Sequence, residues 1–322
     1  MKKVLLATSA LVLTAGAAAA DIKLSGSARM GIVHIDNGSD PSSTQFSSRV
    51  RIVFTASGET DTGLSFGAST RADQEGGNDA SNGSGGTDND ESTVFISGAF
   101  GTLTMGDVSG AADALVGQVS GVGYGPNDDT QEINFLGTVK TALYYEYSAG
   151  ALTFGAGVGQ MDAGGDTYNI GAKYAADGYA VSLAYESAEN GIEYGMGFYD
   201  ADMISLGASA TFGAATVKAR VSDLSVDGFV EDVDTVYALS VDYAMGDTTL
   251  TAFYTDYGNS SEFLNPYADG ADTGPDGDTT HIGLGAAYSL GGGATLAGGV
   301  TRQNNSQGPD QTIANLGLKF SF

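Results

Sequence analysis

The sequence predicts an all-β chain folded as a 16-stranded antiparallel transmembrane β-barrel. Three observations predict it. Apolar and polar residues alternate with period 2 along most of the chain, and short and long connections alternate between those stretches. Glycine is abundant, 49 of 322 residues against 5 prolines and no tryptophan, as tight turns and bending sheets require. Helical periodicity is hard to find, and beyond the N-terminal segment no run of apolar residues is long enough to cross a membrane as a helix.

The elements follow in chain order. Lys2 and Lys3, the apolar stretch 4–14 and the small run Ala17 to Ala20 have the pattern of an export leader cleaved after Ala20. The expected organisation is a signal peptide over 1–20 and one barrel over 21–322. A retained helical anchor is the alternative, although the segment is short and ends in alanines. The predicted strands are 22–35, 45–57, 63–73, 92–99, 101–108, 138–148, 151–161, 166–176, 179–187, 203–212, 214–222, 233–245, 247–257, 279–290, 293–303 and 311–322. In the first, Ile22, Leu24, Ala28, Met30 and Ile32 share one face, and Lys23, Ser25, Ser27 and Arg29 share the other. In the last, Leu316, Leu318, Phe320 and Phe322 oppose Asn315, Lys319 and Ser321. Strands 92–99 and 247–257 have ambiguous parity.

Short connections fall at 58–62, Gly101, Gly150, Asp177-Gly178, Gly213, Gly246-Asp247 and Gly291 to Gly293. Longer polar ones fall at 36–44, 74–91, 109–137, 188–202, 223–232, 258–278 and 304–310, with a brief one at 162–165. One trimmed rim and one loopy rim describe an up-and-down barrel, and an even strand count puts both termini on the trimmed rim. A soluble sandwich pair or a β-helix would also show one apolar face per strand. Against it stand the unbroken apolar face, Tyr and Phe near strand ends (Phe54, Tyr145, Tyr147, Tyr174, Tyr179, Tyr243, Tyr288, Phe320) and the aromatic terminal residue.

The formal charge is −26, and the expected leader holds two of the cations. Such a balance excludes nucleic acid as a partner. The 42% hydrophobic content, with 16 Tyr and 14 Phe, argues against disorder. Cysteine is absent, so there is no disulfide framework or thiolate metal site. Two histidines, His34 and His281, occur without H-E-x-x-H, and no G-x-S-x-G elbow exists, so no enzyme chemistry is indicated. Gly155, Gly157 and Gly159 lie inside a strand and read as slim barrel positions. The acid-rich stretch 269–278 could hold Ca²⁺ through carboxylate and carbonyl oxygens, but it lacks EF-hand spacing, and a solvated loop is the simpler reading.

Charge placement is the sharpest internal test. Beyond the leader, Lys23, Arg29, Arg49, Arg51, Arg71, Lys140, Lys173, Lys218, Arg220 and Lys319 share the polar parity, and Arg302 alone takes the apolar one. A cation facing mid-bilayer lipid costs a few kcal/mol, so a barrel keeps such groups inside; a soluble sheet's wet face would collect them too. Between Arg71 and Lys140 there is no basic residue, whereas Asp73, Glu75, Asp79, Asp88, Asp90, Glu91, Asp107, Asp113, Asp128, Asp129 and Glu132 occur. The 109–137 connection is the longest, and its Gly, Ala and Val content suits packing. Folded into the lumen, it would set acids against wall arginines and create a transverse field. An exposed acidic surface loop is the alternative.

The segments DIKLSGSARMGIV, FSSRVRIVFTASGETDTGLSFGAS, TVFISGAFGTLTMGD and NLGLKFSF resemble the general porins of alphaproteobacteria, over essentially the whole chain beyond the leader. The resemblance implies a homotrimeric barrel in the outer membrane, in contact with lipid and lipopolysaccharide, with an inward-folded third long loop. It implies a water-filled channel for passive diffusion of ions and small hydrophilic solutes; a channel selective for a sugar or dicarboxylate is the alternative. It also implies a constriction between a basic wall (Arg29, Arg49, Arg51, Arg71, Lys140) and an acidic side (Asp107, Asp113, Asp128, Asp129, Glu132). Calcium near the loops is a further family trait. The terminal Phe322 resembles the signal read by the outer-membrane assembly machinery. From the acidity a mild cation preference is expected.

Overall fold

The computed structural model describes residues 21–38, 41–76, 91–126, 131–136, 139–160, 165–194, 197–228, 233–264, 278–306 and 308–322. Sixteen antiparallel strands close into a barrel: β1 (Asp21–Asp36), β2 (Ser43–Glu59), β3 (Ser65–Gly76), β4 (Ser92–Gly98), β5 (Gly101–Val108), β6 (Val139–Ala149), β7 (Leu152–Gln160) and β8 (Asp166–Ala176), then β9 (Tyr179–Tyr194), β10 (Gly197–Phe212), β11 (Ala215–Val226), β12 (Val236–Met245), β13 (Thr248–Gly258), β14 (Thr279–Gly291), β15 (Ala294–Asn305) and β16 (Gln311–Ser321). Each strand pairs with its sequence neighbours, and β1 with β16 closes the ring, so no edge is left unpaired. The closure is tied at its end by Gly26 N–H donating to the Phe322 carbonyl at 2.8 Å and Phe322 N–H to the Gly26 carbonyl at 3.0 Å. Tight turns join the strands at one rim. At Gly178 (φ +83°) and Gly213 (φ +62°) they need the left-handed backbone that glycine adopts without a Cβ penalty.

One connection expected as a polar loop is not one. The 188–202 stretch continues β9 and β10 as a long hairpin, paired up to Tyr194–Gly197 and bulged between Tyr199 and Ala201. Its apolar residues are spaced by two but sit among Gly, Asn and acids, which hides the alternation. Once paired, they turn Ala188, Ile192, Ala201 and Met203 inward, all buried. Strand β11 likewise runs on to Val226.

The two faces are chemically opposite. Outward Leu284 and Leu316 are 67% and 60% exposed, while inward Ser205 and Ser222 are 1% and 0% exposed. A sheet that shows leucine outside and hydroxyls inside has its solvents reversed relative to a water-soluble domain, and lipid is the outer solvent that removes the cost. Tyr145, Tyr147, Tyr174, Tyr179, Tyr243 and Tyr288 also point outward near strand ends, as a membrane-interface girdle does. Among the described residues no helix is long and apolar enough to cross a membrane.

The interior is not uniformly wet. Ala188, Ile192, Ala201, Met203, Leu224, Val226, Val236, Ala238 and Tyr257 form an apolar cluster inside the β9–β13 wall, completed by Ile133, Leu136 and Leu264. These inward apolar positions depart from the simple apolar-out, polar-in expectation. The physical reason is that part of the wall is covered by chain, not by water.

Candidate functional site: the inner wall and its loop

The covering chain is the 109–138 connection between β5 and β6. It begins beside a bulge at Gly106–Val108, makes one π-helical turn (Ala112–Val116), and then tracks the inner wall. Its contacts are dictated by backbone groups that cannot stay unpaired once buried. Ala111 N–H donates to Asn169 Oδ1 on β8 at 2.8 Å, Ser120 N–H to Ser240 Oγ on β12 at 2.9 Å, and Tyr124 N–H to Asn315 Oδ1 on β16 at 3.1 Å. Ser120 Oγ also donates to Asp242 at 2.6 Å. The outgoing arm therefore runs from β8 round to β16.

Two glutamines bind the returning arm to it. Gln118 exchanges hydrogen bonds with both backbone groups of Ile133 at 2.8 and 3.1 Å, and Gln131 with both of Val122 at 3.0 and 2.6 Å. Each side-chain amide reproduces a ladder rung between arms that lie too far apart to pair directly. Tyr257 on β13 adds a hydrogen bond from its hydroxyl to the Glu132 carbonyl at 2.8 Å.

Room for this loop comes from glycines in the wall. A Cβ on Gly285 would sit 2.8 Å from Val122 Cβ, and one on Gly299 2.9 Å from the same atom. On Gly31 and Gly317 it would meet the Tyr124 ring at 2.8 and 2.7 Å, and on Gly155 and Gly171 it would meet Leu115 at 3.1 Å. The strand glycines read as slim positions are, at Gly155, the floor on which the loop's apolar side chains rest.

Arg220 on β11 is the strongest single tie. It is 1% exposed, and its guanidinium donates to Ser222 Oγ at 2.9 Å, Gln118 Oε1 at 3.0 Å, the Ile133 carbonyl at 3.1 Å and the Asn134 carbonyl at 3.4 Å. The Phe135 ring covers it at 4.0 Å. Glu186, Asp113 and Glu132 act on it electrostatically and offset its burial. In the sequence Arg220 is one more cation of polar parity; only the fold distinguishes it.

The expected basic wall assembles on β1–β3. Arg29 and Arg49 are register partners on β1 and β2, and the loop's Tyr124 reaches this wall with its hydroxyl beside Ser47 and Arg29. Arg51 meets Asp73, its partner on β3, at 2.9–3.0 Å; Arg71 meets Asp73 at 3.0 Å and also pairs with Glu91. Asp73 and Glu91 thus belong to the site, although only their position near Arg71 in the sequence hinted at it. Lys140 is placed on β6 by its backbone. Of the acids, Asp107 lies at the β5 bulge, Asp113 on the π-helical turn and Glu132, exposed, on the returning arm. Asp128, Asp129 and residues 269–277 lie outside the described residues. The described loop carboxylates Asp113 and Glu132 are within electrostatic reach of Arg220 on β11.

The remaining candidates are structural. His281 is buried inward and packs edge-on against Tyr257, ring centroids 4.9 Å apart. Among the described residues no group of His, Cys, Asp or Glu is arranged to hold a metal. Arg302 faces outward on β15 and is tied to Asp310 at 2.6 Å.

Comparison with known proteins agrees with this architecture. The family described as Gram-negative porin matches residues 7–308. The chain is 36% identical to a porin of Rhodobacter capsulatus over 94% of its own length and all of that protein, and 27% identical to a porin of Fuscovulum blasticum over the same shares. A porin structure refined at 1.8 Å superposes with a TM-score of 0.69 at 33% identity, over 94% of this chain and all of the other.

Proposed function

The chain belongs to the Gram-negative porin family and is an integral outer-membrane barrel whose water-filled channel passes ions and small hydrophilic solutes by diffusion; from that premise we propose that the 109–138 loop is its constriction and favours cations. One observation carries the proposal: the loop is bonded to inward side chains of β8, β11, β12, β13 and β16, so it takes lumen cross-section from one side. The rest of the lumen lining is the arginine wall of Arg29, Arg49, Arg51 and Arg71, which the loop touches at Tyr124, with Lys140 on β6. The acidic side of the proposal is Asp107, with Asp113 and Glu132 beside Arg220, and Asp128 and Asp129, which lie outside the described residues. Asp73 and Glu91 neutralise part of the wall, and the chain as a whole carries −26, so the lumen concentrates cations.

The family is normally non-enzymatic, and diffusion through this lumen requires no bond to be made or broken. The same reading includes removal of residues 1–20, a homotrimer surrounded by lipid and lipopolysaccharide, and recognition of Phe322 by the outer-membrane assembly machinery. It leaves calcium as a loop ligand to be tested by chelation. A sugar-selective channel needs aromatics lining its path. Phe95 on β4 and Tyr144 on β6 have lumen parity but are few, and the inward Phe253 and Tyr257 are buried, Tyr257 in the apolar cluster beneath the loop, so they supply no such track.

Reversal potentials across planar bilayers in a KCl gradient test the selectivity. The expected result is a mild cation preference. Asp73→Asn, which frees Arg51 and leaves Arg71 with Glu91 alone, should shift the permeability ratio toward anions by up to about fivefold, the factor for one charge at ~4 Å in water. A clearly anion-selective wild type refutes the proposal. Electrophoresis with and without boiling tests the trimer.

A further inference from the structure

Between the loop and the short-turn rim, the inner wall of β8–β11 holds a recess of about 180 Å³ whose polar lining is Lys173, Ser182, Ser209, Lys218, Arg220 and Gln118. We propose that it is a binding subsite for a small divalent oxyanion of phosphate size, occupied from the periplasmic side of the channel.

The register brings these groups together. Lys173 pairs with Ser182, Ser182 with Gly207, and Gly207 with Arg220, forming one inward row across four strands; Ser209 and Lys218 are partners in the next row toward the turn. Three strand spacings, ~14 Å, separate the lysine-bearing strands. Across the concave inner face, two flexible four-carbon stems can bring both ammonium groups onto one anion. The loop segment Val116–Gln118 roofs the recess, and Gly207 gives it depth, since a Cβ there would meet Ser182 Oγ at 2.6 Å and Val116 Cγ1 at 3.0 Å.

Charge makes the recess unlike the rest of the molecule. Three cations line it in a chain of net charge −26, and among the described residues no carboxylate does. Arg220 commits its donors largely to the loop and to Ser222, and Glu186, Asp113 and Glu132 offset its charge, so the two lysines carry the recess. Lys173 and Lys218 form no ion pair with any described residue, which leaves their ammonium donors to take an anion, with the hydroxyl of Ser209 and that of Ser182, whose contact to the Gly207 carbonyl is long at 3.5 Å. A compact, doubly charged oxyanion with several acceptor oxygens matches four such donors. A monovalent carboxylate satisfies fewer of them. The subsite rests on the channel reading for its access, and it gives phosphate-like anions a stopping point that the acidic lumen otherwise denies them.

The test is a titration of inorganic phosphate, at constant ionic strength, against the full chain reconstituted in planar bilayers and, separately, in detergent with calorimetric detection. The expected result is saturable inhibition of KCl current and saturable heat, both absent with acetate. Lys173→Gln with Lys218→Gln should weaken half-saturation by about tenfold or more, as loss of charge-assisted hydrogen bonds does. Lys173→Arg with Lys218→Arg should retain saturation. A wild type without saturable phosphate binding, or a Gln variant that binds phosphate as the wild type does, overturns the proposal. Phosphate-free KCl conductance reports on the channel itself: normal conductance without phosphate saturation removes the subsite and leaves the porin reading intact.

Discussion

Replacing Arg220 with methionine isolates how firmly the loop is held. The side chain is 1% exposed, and two of its loop contacts, at 3.0 and 3.1 Å, have good hydrogen-bond geometry; the third, at 3.4 Å, counts for little. Hydrogen bonds from a charged donor contribute about 1.5–3 kcal/mol each, and the Phe135 contact adds about 1–2 kcal/mol in a desolvated setting. Gln118 and Ile133 keep one another as partners after the change, so each lost bond falls to about 1 kcal/mol, which with the ring contact makes about 3 kcal/mol of loop docking. That is roughly a hundredfold in the ratio of docked to released loop. The barrel ladder is untouched, but Glu186, 0% exposed on β9, loses the opposing charge, so part of the loss falls on the wall itself. Limited chymotrypsin digestion reads the released population, since Tyr124, Phe135 and Leu136 offer cleavage sites within the loop. Cleavage should accelerate about a hundredfold while the unheated electrophoretic species is unchanged, and open-channel current noise should rise. An R220M protein cut at the wild-type rate, with quiet channels, would show that the remaining anchors hold the loop alone and that the tie assigned to Arg220 is wrong.

Two further outcomes follow from the same geometry. Gly285→Val crowds Val122 across a 2.8 Å approach and should cost about 1–3 kcal/mol of loop packing, lowering single-channel conductance as the loop moves toward the pore axis. Adding Val122→Gly removes that Cβ and should restore it in part, the Gly298 carbonyl also lying 2.8 Å from the new side chain, and a double variant no better than the single one would mean that the loop does not rest there. At the rim, the hydrogen bond from Arg302 holds the Asp310 carboxyl below the ordinary aspartate value, helped by the Asn305 backbone N–H. A depressed folded value means that the tie is complete above the ordinary value of about 3.9 and is lost as pH falls through the folded one. Carbon-13 titration of the Asp310 carboxyl should therefore give a midpoint below that value, and Arg302→Gln should return it there; an ordinary midpoint with Arg302 present contradicts the assignment.

Much of the barrel was legible because strand parity is local. Lys23, Ser25, Ser27 and Arg29 alternate with Ile22, Leu24 and Ala28 over eight residues, and most strands repeat the pattern. The β9–β10 extension was missed because Asn190 and Gly191 interrupt the pattern with turn-forming residues; Asn190 takes φ +52° within the paired hairpin, where its N–H donates to Asp200 Oδ1 at 2.8 Å. The arginine wall was legible as a set of same-parity cations. Its partners were not, because the Arg51–Asp73 contact depends on a register between two strands that neither strand encodes alone.

By itself the sequence determined what alternates: sixteen strands, their apolar outer face, their polar inner face and the two unequal rims. Those follow from side chains one and two positions apart, where backbone geometry acts directly. Only the tertiary structure decided where the 109–138 loop goes and what holds it. Its wall bonds join residues 58, 120 and 191 positions apart, through Asn169, Ser240 and Asn315, and no periodicity marks such pairs. They exist because a ring of strands, once closed, brings distant polar side chains around one loop whose buried backbone must find partners.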